Sequence, residues 1–370
     1  MNARTLLTAI GLTLLACRLC AAEPLKTENL DFRFNGKRLS GTLDLPADRP
    51  PSGIVVFVMG HGKTDVVAGK WYQDLRSRFA EAGLGCYLWD KAGCGRSEGE
   101  YDHSQTVQSS AQETLAAIAE LKRRGIAGSD RIGLWGISRA GWIAPLVIER
   151  LPSIAFWISV SGTDDKESFG YLLESNLRIE GRSESVIRSL LGEWRRGNEI
   201  LRKGGSFEEN QRATRNLRQD PFFKSFFKSF FAGDDTEAGY LREQRTLLAQ
   251  RPLFDEPSGL MIYVPGFRQI LKAIRCPVLA LFGEKDSVVD WRSTMALYRD
   301  TIGSGVDADL AIRTFPSCNH NMLQCRTGGI REDRETTGPR RPCDGYQDAI
   351  ITWLKEKDLD CAPRCPFRNE

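Results

Sequence analysis

The stretch Arg131-Ile132-Gly133-Leu134-Trp135-Gly136-Ile137-Ser138-Arg139-Ala140-Gly141-Trp142 constrains this chain more than any other. A short apolar run, with the look of a buried strand, ends at Gly136. A helix-like run from Trp142 to Glu149 begins almost at once. Ser138 stands between them among small residues. A strand that turns this sharply into a helix strains the residue at the turn and presents its side chain outward, the geometry of a nucleophile elbow. Small neighbours let strand and helix nearly touch. The free N–H groups at the start of the helix face the same point and favour developing negative charge there.

The rest of the chain repeats a strand-then-helix rhythm around this turn. Leu30–Phe34 and Arg38–Leu45 alternate as two strands joined by Asn35-Gly36, a favoured hairpin turn. Ile54–Met59 is continuously apolar, as a strand buried on both faces is. It leads into Gly60-His61-Gly62-Lys63. A helix over Trp71–Ala82, a strand at Cys86–Trp89, a long amphipathic helix over Gln105–Arg124 and a strand at Ile154–Ser159 follow. The pattern resumes with a strand at Pro277–Gly283, a helix near Trp291–Ile302, a strand at Leu310–Phe315 and a helix at Tyr346–Lys357. Such alternation predicts an α/β fold with a doubly wound, mostly parallel sheet. Residues 164 to 270 lack buried-strand runs and read as helical.

The elbow, the spacing of the strands and the order of the polar residues resemble the α/β-hydrolase superfamily over about residues 30–160 and 275–357. One departure is Ala140, where the G-x-S-x-G pattern has its second glycine. The resemblance implies that 164–270 is a helical cap inserted after the sixth strand. Within it, Asp220-Pro221 offers a helix N-cap and a first-turn proline. Phe222, Phe223, Phe226, Phe227, Phe230 and Phe231 then fall on one half of a helix, with Gly233 able to end it. That stripe is either an apolar wall for an acyl group or ordinary packing of the cap.

A serine hydroxyl needs a general base beside it, and the base needs a group that fixes its tautomer. The chain has three histidines. His320 follows the final apolar strand, where the superfamily carries its base; His61 and His103 precede the nucleophile. For the acid, Asp286 sits in Gly283-Glu284-Lys285-Asp286-Ser287-Val288-Val289 at a strand's carboxyl end. Asp290 is its rival, Glu284 a weaker one, and Asp164 or Asp165 an alternative position. The resemblance implies Ser138, Asp286 and His320 as the triad. It implies an oxyanion hole from the backbone N–H groups of Arg139 and Lys63, with Gly62 the second choice for the latter. The Arg139 side chain is read as forming a structural ion pair or meeting a substrate carboxylate. Asp90-x-x-Gly93-x-Gly95-x-Ser97 lacks dinucleotide-site spacing and reads as a structural turn. No cofactor and no metal are implied.

Charge is nearly balanced, 51 basic against 48 acidic residues for a net +3, which offers no electrostatic footprint for nucleic acid. Arg4, the apolar run Leu6–Ala16 and the small residues Cys20-Ala21-Ala22 have the pattern of a secretory signal peptide, 1–22, too short for a stable membrane span. A lipid anchor at Cys17 is the disfavoured alternative, because Leu15 is bulky there. Ten cysteines minus Cys17 and Cys20 leaves eight in an exported chain. The late five, Cys318, Cys325, Cys343, Cys361 and Cys365, are expected to form at least two disulfides. Cys86 and Cys276 sit at strand edges as buried thiols.

The reading is therefore a signal peptide (1–22), a body in two parts (23–163 and 271–357), the cap (164–270) and a cysteine-containing tail (358–370). The expected activity is that of a periplasmic or secreted serine hydrolase acting on a small-molecule carboxylic ester or thioester. A peptidase of small peptides, or an inactive binding protein on the same fold, are the alternatives.

Overall fold

Alternate residues of the central strands face opposite ways, and here both sets are apolar. Ile54, Val56 and Val58 join one core cluster, whereas Val55 and Phe57 join another. A strand of that kind must be covered on both faces, and helices supply the cover. Each fully buried aliphatic side chain contributes roughly 1.5–3 kcal/mol.

The computed structural model describes residues 25–230, 235–305 and 307–360. The expected signal peptide, residues 1–22 with Cys17, as well as Phe231, Gly233, Cys361 and Cys365, lie outside the described residues. The chain opens with β1 (Lys26–Asn29), β2 (Phe32–Phe34), β3 (Lys37–Leu39), β4 (Gly41–Leu45) and β5 (Ile54–Val58). Then come α1 (Gln73–Glu81), β6 (Gly85–Trp89), α2 (Val107–Arg123), β7 (Ile132–Ile137), α3 (Ala140–Arg150) and β8 (Phe156–Val160). The inserted region holds α4 (Phe169–Ile179), α5 (Glu184–Arg202), α6 (Phe207–Ala213), α7 (Arg215–Gln219), α8 (Pro221–Phe230), α9 (Glu237–Gln250), β9 (Leu253–Asp255) and β10 (Leu260–Ile262). The body resumes with α10 (Phe267–Lys272), β11 (Val278–Gly283), α11 (Trp291–Asp300), β12 (Leu310–Phe315), α12 (Ile330–Glu335) and α13 (Tyr346–Glu356).

The main sheet runs β1-β4-β6-β5-β7-β8-β11-β12. All pairings from β6 to β12 are parallel, and β4 and β1 add antiparallel strands at one edge. Helices α2, α3, α10 and α11 cover one face and α1 and α13 the other. This is the doubly wound, mostly parallel sheet with a helical insertion that the sequence predicts.

Four local features differ from the sequence reading. The stretch Arg38–Leu45 is not one strand. It breaks at Ser40, β3 pairs only with β2, and β4 crosses into the main sheet. The edge strand β1, polar and exposed, carries no apolar alternation to announce it. The cap also contains a small hairpin, β9 with β10, whose half-exposed residues give no buried-strand signal. Its lower boundary, drawn at residue 270, falls inside α10, whose Phe267 and Leu271 pack into the body.

The cap has its own core. Leu172, Leu173, Leu177, Ile187, Leu190, Trp194 and Leu217 pack with Phe222 and Phe226. Asp220 caps α8, its Oδ1 accepting the N–H groups of Phe222 and Phe223.

Candidate functional site

The body places its polar residues at the carboxyl ends of three strands. Ser138 follows β7, Asp286 follows β11 and His320 follows β12. In open α/β sheets, ligand-contacting loops collect on that edge. Ser138 has φ +59°, the left-handed region that a non-glycine residue rarely occupies. Its N–H donates to the Val160 carbonyl on β8, and its own carbonyl accepts from Gly141 N–H. The turn closes because Gly136 has no side chain. A Cβ there would lie 2.7 Å from the Ala140 Cβ. Alanine at 140 is therefore accommodated by the first glycine of the pattern rather than the second.

Asp286 is buried and divides its carboxylate between two tasks. Oδ1 accepts the N–H groups of Val288 and Val289, at 2.8 and 2.9 Å. Oδ2 lies 2.8 Å from His320 Nδ1. The helix-cap and histidine contacts are thus made by different oxygens of one side chain. The rivals are engaged elsewhere. Asp290 caps α11 through Arg292 N–H, Ser293 N–H and Ser293 Oγ. Glu284 accepts from Thr314 Oγ1, and Asp165 pairs with Arg268. Among the described residues no hydrogen bond joins Ser138 to His320; in unliganded enzymes that contact is commonly long and tightens with substrate. His103 is exposed, beside Ser104.

Cys318 and Cys343 form a disulfide two residues before His320, both sulfurs buried. It ties the histidine loop to the start of α13. Cys325 is a free thiol, as are Cys86, Cys94 and Cys276. Among the described residues there is one disulfide, and Cys361 and Cys365, on which the expectation of a second also rested, lie outside them.

The Gly60–Lys63 loop leaves β5 and lies directly against Ser138: a Cβ at Gly60 would meet the Ser138 Cβ at 3.2 Å. Gly62 turns the loop with φ +102°, a conformation that glycine adopts freely. The backbone of Gly62 hydrogen-bonds Tyr101. The N–H groups of Lys63 and Arg139 have no acceptor among the described residues. The Arg139 guanidinium meets neutral groups, Ser110 Oγ at 3.0 Å and the Gln105 carbonyl, instead of an ion-pair partner.

Sequence reasoning missed Lys91. It stands just past β6, and its Nζ donates to the carbonyls of Gly60 and Gly62. Burial, then the charge of Arg139, pushes its ammonium down to about 8. Protein mass around His61, with Lys91 and Arg139 adding to it, holds that imidazole down at about 4. Where the cap leaves β8, burial raises the carboxyls of Asp164 and Glu167 to about 6 and about 7. The sequence signal for Lys91 was its place in the strand-end turn, but nothing there showed which way the side chain points.

Among the described residues no group of three or more His, Cys, Asp or Glu side chains can hold a metal ion. No described helix is long and apolar enough to cross a membrane.

A family model described as serine aminopeptidase, S33, matches residues 49–228. No curated protein matches the sequence significantly. Among solved structures, the chain is similar to the esterase Pf2001 of Pyrococcus furiosus, with TM-score 0.52 and 13% identity, over 90% of this chain and 91% of that one. It is also similar to a 2,6-dihydroxy-pseudo-oxynicotine hydrolase, with TM-score 0.50 and 16% identity, over 90% and 68% of the two chains. At such identities the likeness is one of fold. The strained serine turn between β7 and α3, the eight-stranded sheet and these matches lead to one conclusion: the chain has the α/β-hydrolase fold.

Proposed function

We propose that this chain is an exported serine hydrolase that cleaves carboxylic esters or thioesters through an acyl-enzyme. The observation that carries the reading is the buried Asp286 carboxylate on His320 Nδ1, at the same sheet edge as the strained Ser138. With Nδ1–H donated to Asp286, Nε2 is left as the basic nitrogen. Ser138 Oγ attacks the substrate carbonyl and its proton passes to Nε2. The tetrahedral oxyanion is met by the N–H groups of Arg139 and Lys63. The imidazolium then protonates the leaving group, and water repeats the sequence to release the acid. Export accords with the N-terminal apolar run and with the Cys318–Cys343 bridge, since disulfides persist in oxidising compartments.

The second reading is a peptidase of small peptides. It is favoured by the serine aminopeptidase description of the family model. Fluorophosphonate labelling tests the shared mechanism: Ser138 is expected to carry the label, and Ser138→Ala to lose it. An unlabelled wild-type protein would indicate a binding module. Turnover of p-nitrophenyl esters of increasing chain length, beside an aminoacyl-p-nitroanilide, then separates ester from peptide preference.

A further inference from the structure

The two residues that follow β6 hold both the Gly60–Lys63 loop and the segment just after it. Asp90 Oδ1 accepts the Val66 N–H at 2.7 Å, and Lys91 N–H donates to Thr64 Oγ1 at 2.8 Å. The Lys91 ammonium reaches back over the loop to the Gly60 carbonyl at 2.5 Å and the Gly62 carbonyl at 2.9 Å. Strands β5 and β6 are parallel neighbours, so their carboxyl ends emerge side by side and bring these residues together.

Two carbonyls drawn to one ammonium have a geometric consequence. In a planar trans peptide the C=O and the following N–H point in opposite directions. Turning the Gly60 and Gly62 carbonyls toward Lys91 therefore turns the N–H groups of His61 and Lys63 away from it. Gly60 lies so close to Ser138 that a Cβ there would come within 3.2 Å of the serine Cβ. A lysine with only a folding role would more economically meet a carboxylate. Glu113 is nearby, but it accepts from Trp89 Nε1 and Gln105 Nε2.

We propose that Lys91 is a positioning residue for the oxyanion hole, holding the Gly60–Lys63 loop with the Lys63 N–H turned toward the substrate carbonyl at Ser138. This rests on the serine-hydrolase reading above and assigns a residue to it that never touches the substrate. The loop contains two glycines, and Tyr101 holds the Gly62 backbone from another side; the ammonium is the group that fixes the direction of the Gly60 and Gly62 carbonyls. Oxyanion donors act by being fixed before charge develops, and loss of that order falls on kcat.

The experiment is kcat per active site, counted by fluorophosphonate titration of Ser138, with p-nitrophenyl acetate as substrate. Acylation and deacylation both pass through an oxyanion. Lys91→Met is therefore expected to lower kcat per titrated serine by about tenfold to a hundredfold, below the loss from deleting a donor outright, with KM held within about threefold. A purely structural lysine would reduce the number of titratable sites and the melting temperature while the remaining sites turned over normally. Normal turnover per titrated site, or a loss confined to KM, overturns the proposal. Should Lys91→Met give no titratable protein, Lys91→Gln decides by the same figures; failure of both to fold assigns Lys91 to the scaffold and also overturns it. An unlabelled wild-type protein is a different failure, because it removes the hydrolase reading itself.

Discussion

The body and the cap of this molecule are organised by different rules. In the body, the candidate site sits at strand ends and is held by main-chain geometry: a left-handed serine, a glycine that lets two backbones approach, carbonyls gripped by a lysine. In the cap, apolar side chains of successive helices pack around a small core of their own. The two meet through side-chain bonds. Tyr171 Oη on α4 donates to the Asp286 carbonyl, and Asn176 bridges the Ser287 carbonyl and the Ile330 N–H. A strand-end site tolerates almost no change, because each position serves a direction in space. A helical cap depends on volume and burial, so its substitutions are expected to act on stability.

The largest effects should come from the body. Ser138→Ala and His320→Ala are each expected to lower kcat by more than about a thousandfold with unchanged melts. Retained turnover in either variant would falsify the triad. Asp286→Asn should cost about a hundredfold or more, somewhat less than loss of the serine. Asparagine keeps an oxygen for Val288 and Val289, so the fold should hold. Asp290→Ala sharpens the contrast: it should lose about 1 kcal/mol of stability as a lost helix cap while kcat stays normal. A reversed result, with Asp290 essential and Asp286 dispensable, breaks the acid assignment.

Cap substitutions should invert that pattern. Phe226 is 1% exposed, stacks on Phe222 and packs against Phe169 at a tilt. Phe226→Ala should lower stability by about 3–5 kcal/mol and scale activity on all esters alike. A changed ratio of kcat/KM between long-chain and acetyl esters would instead make α8 part of an acyl pocket. Removing the Cys318–Cys343 bridge with a double alanine variant should cost about 2–4 kcal/mol. Because the bridge lies beside His320, activity should fall at a lower temperature than bulk unfolding, measured by melts against residual turnover.

The smallest effect belongs to the junction. Glu167 lies between β8 and α4, and its N–H donates to the Met261 carbonyl. Burial, and then Asp164, raises its carboxyl to about 7. The folded state thus keeps the proton to a higher pH than the unfolded chain, which releases it near 4.5. This group's stabilisation is complete below about 4.5 and is lost as pH rises through 7. Glu167→Gln should flatten the decline of the melting temperature between pH 5 and 8. An unaltered slope would mean that the carboxyl is well hydrated in the fold.

Much of the body was legible in the sequence because its signals are local. Buried parallel strands read as unbroken apolar runs, as Ile54–Val58 and Val278–Gly283 do, and helices follow at regular intervals. The cap's hairpin was not legible, since Leu253–Asp255 and Leu260–Ile262 are half-exposed and have no apolar periodicity. Edge strand β1 escaped for the same reason. The phenylalanine stripe was visible, but its meaning was not. Only the packing of Phe222 and Phe226 against α4 and α5 separates core from pocket wall, and the side chains of residues 227–230 lie outside the described set.

By itself the sequence determined the fold class and the strand-to-helix turn at Ser138, and it placed Ser138, Asp286 and His320 each just after a strand. Each of these depends on spacing over a few residues, and hydrophobic periodicity encodes spacing. The tertiary structure decided which carboxylate meets His320, which cysteines join, and where the Lys91 ammonium points. Those outcomes depend on the register of neighbouring strands and on side-chain direction across loops far apart in sequence. Asp286 and Asp290 are both strand-end carboxylates on paper, and only the relative placement of β11 and β12 brings one of them to within 2.8 Å of the imidazole.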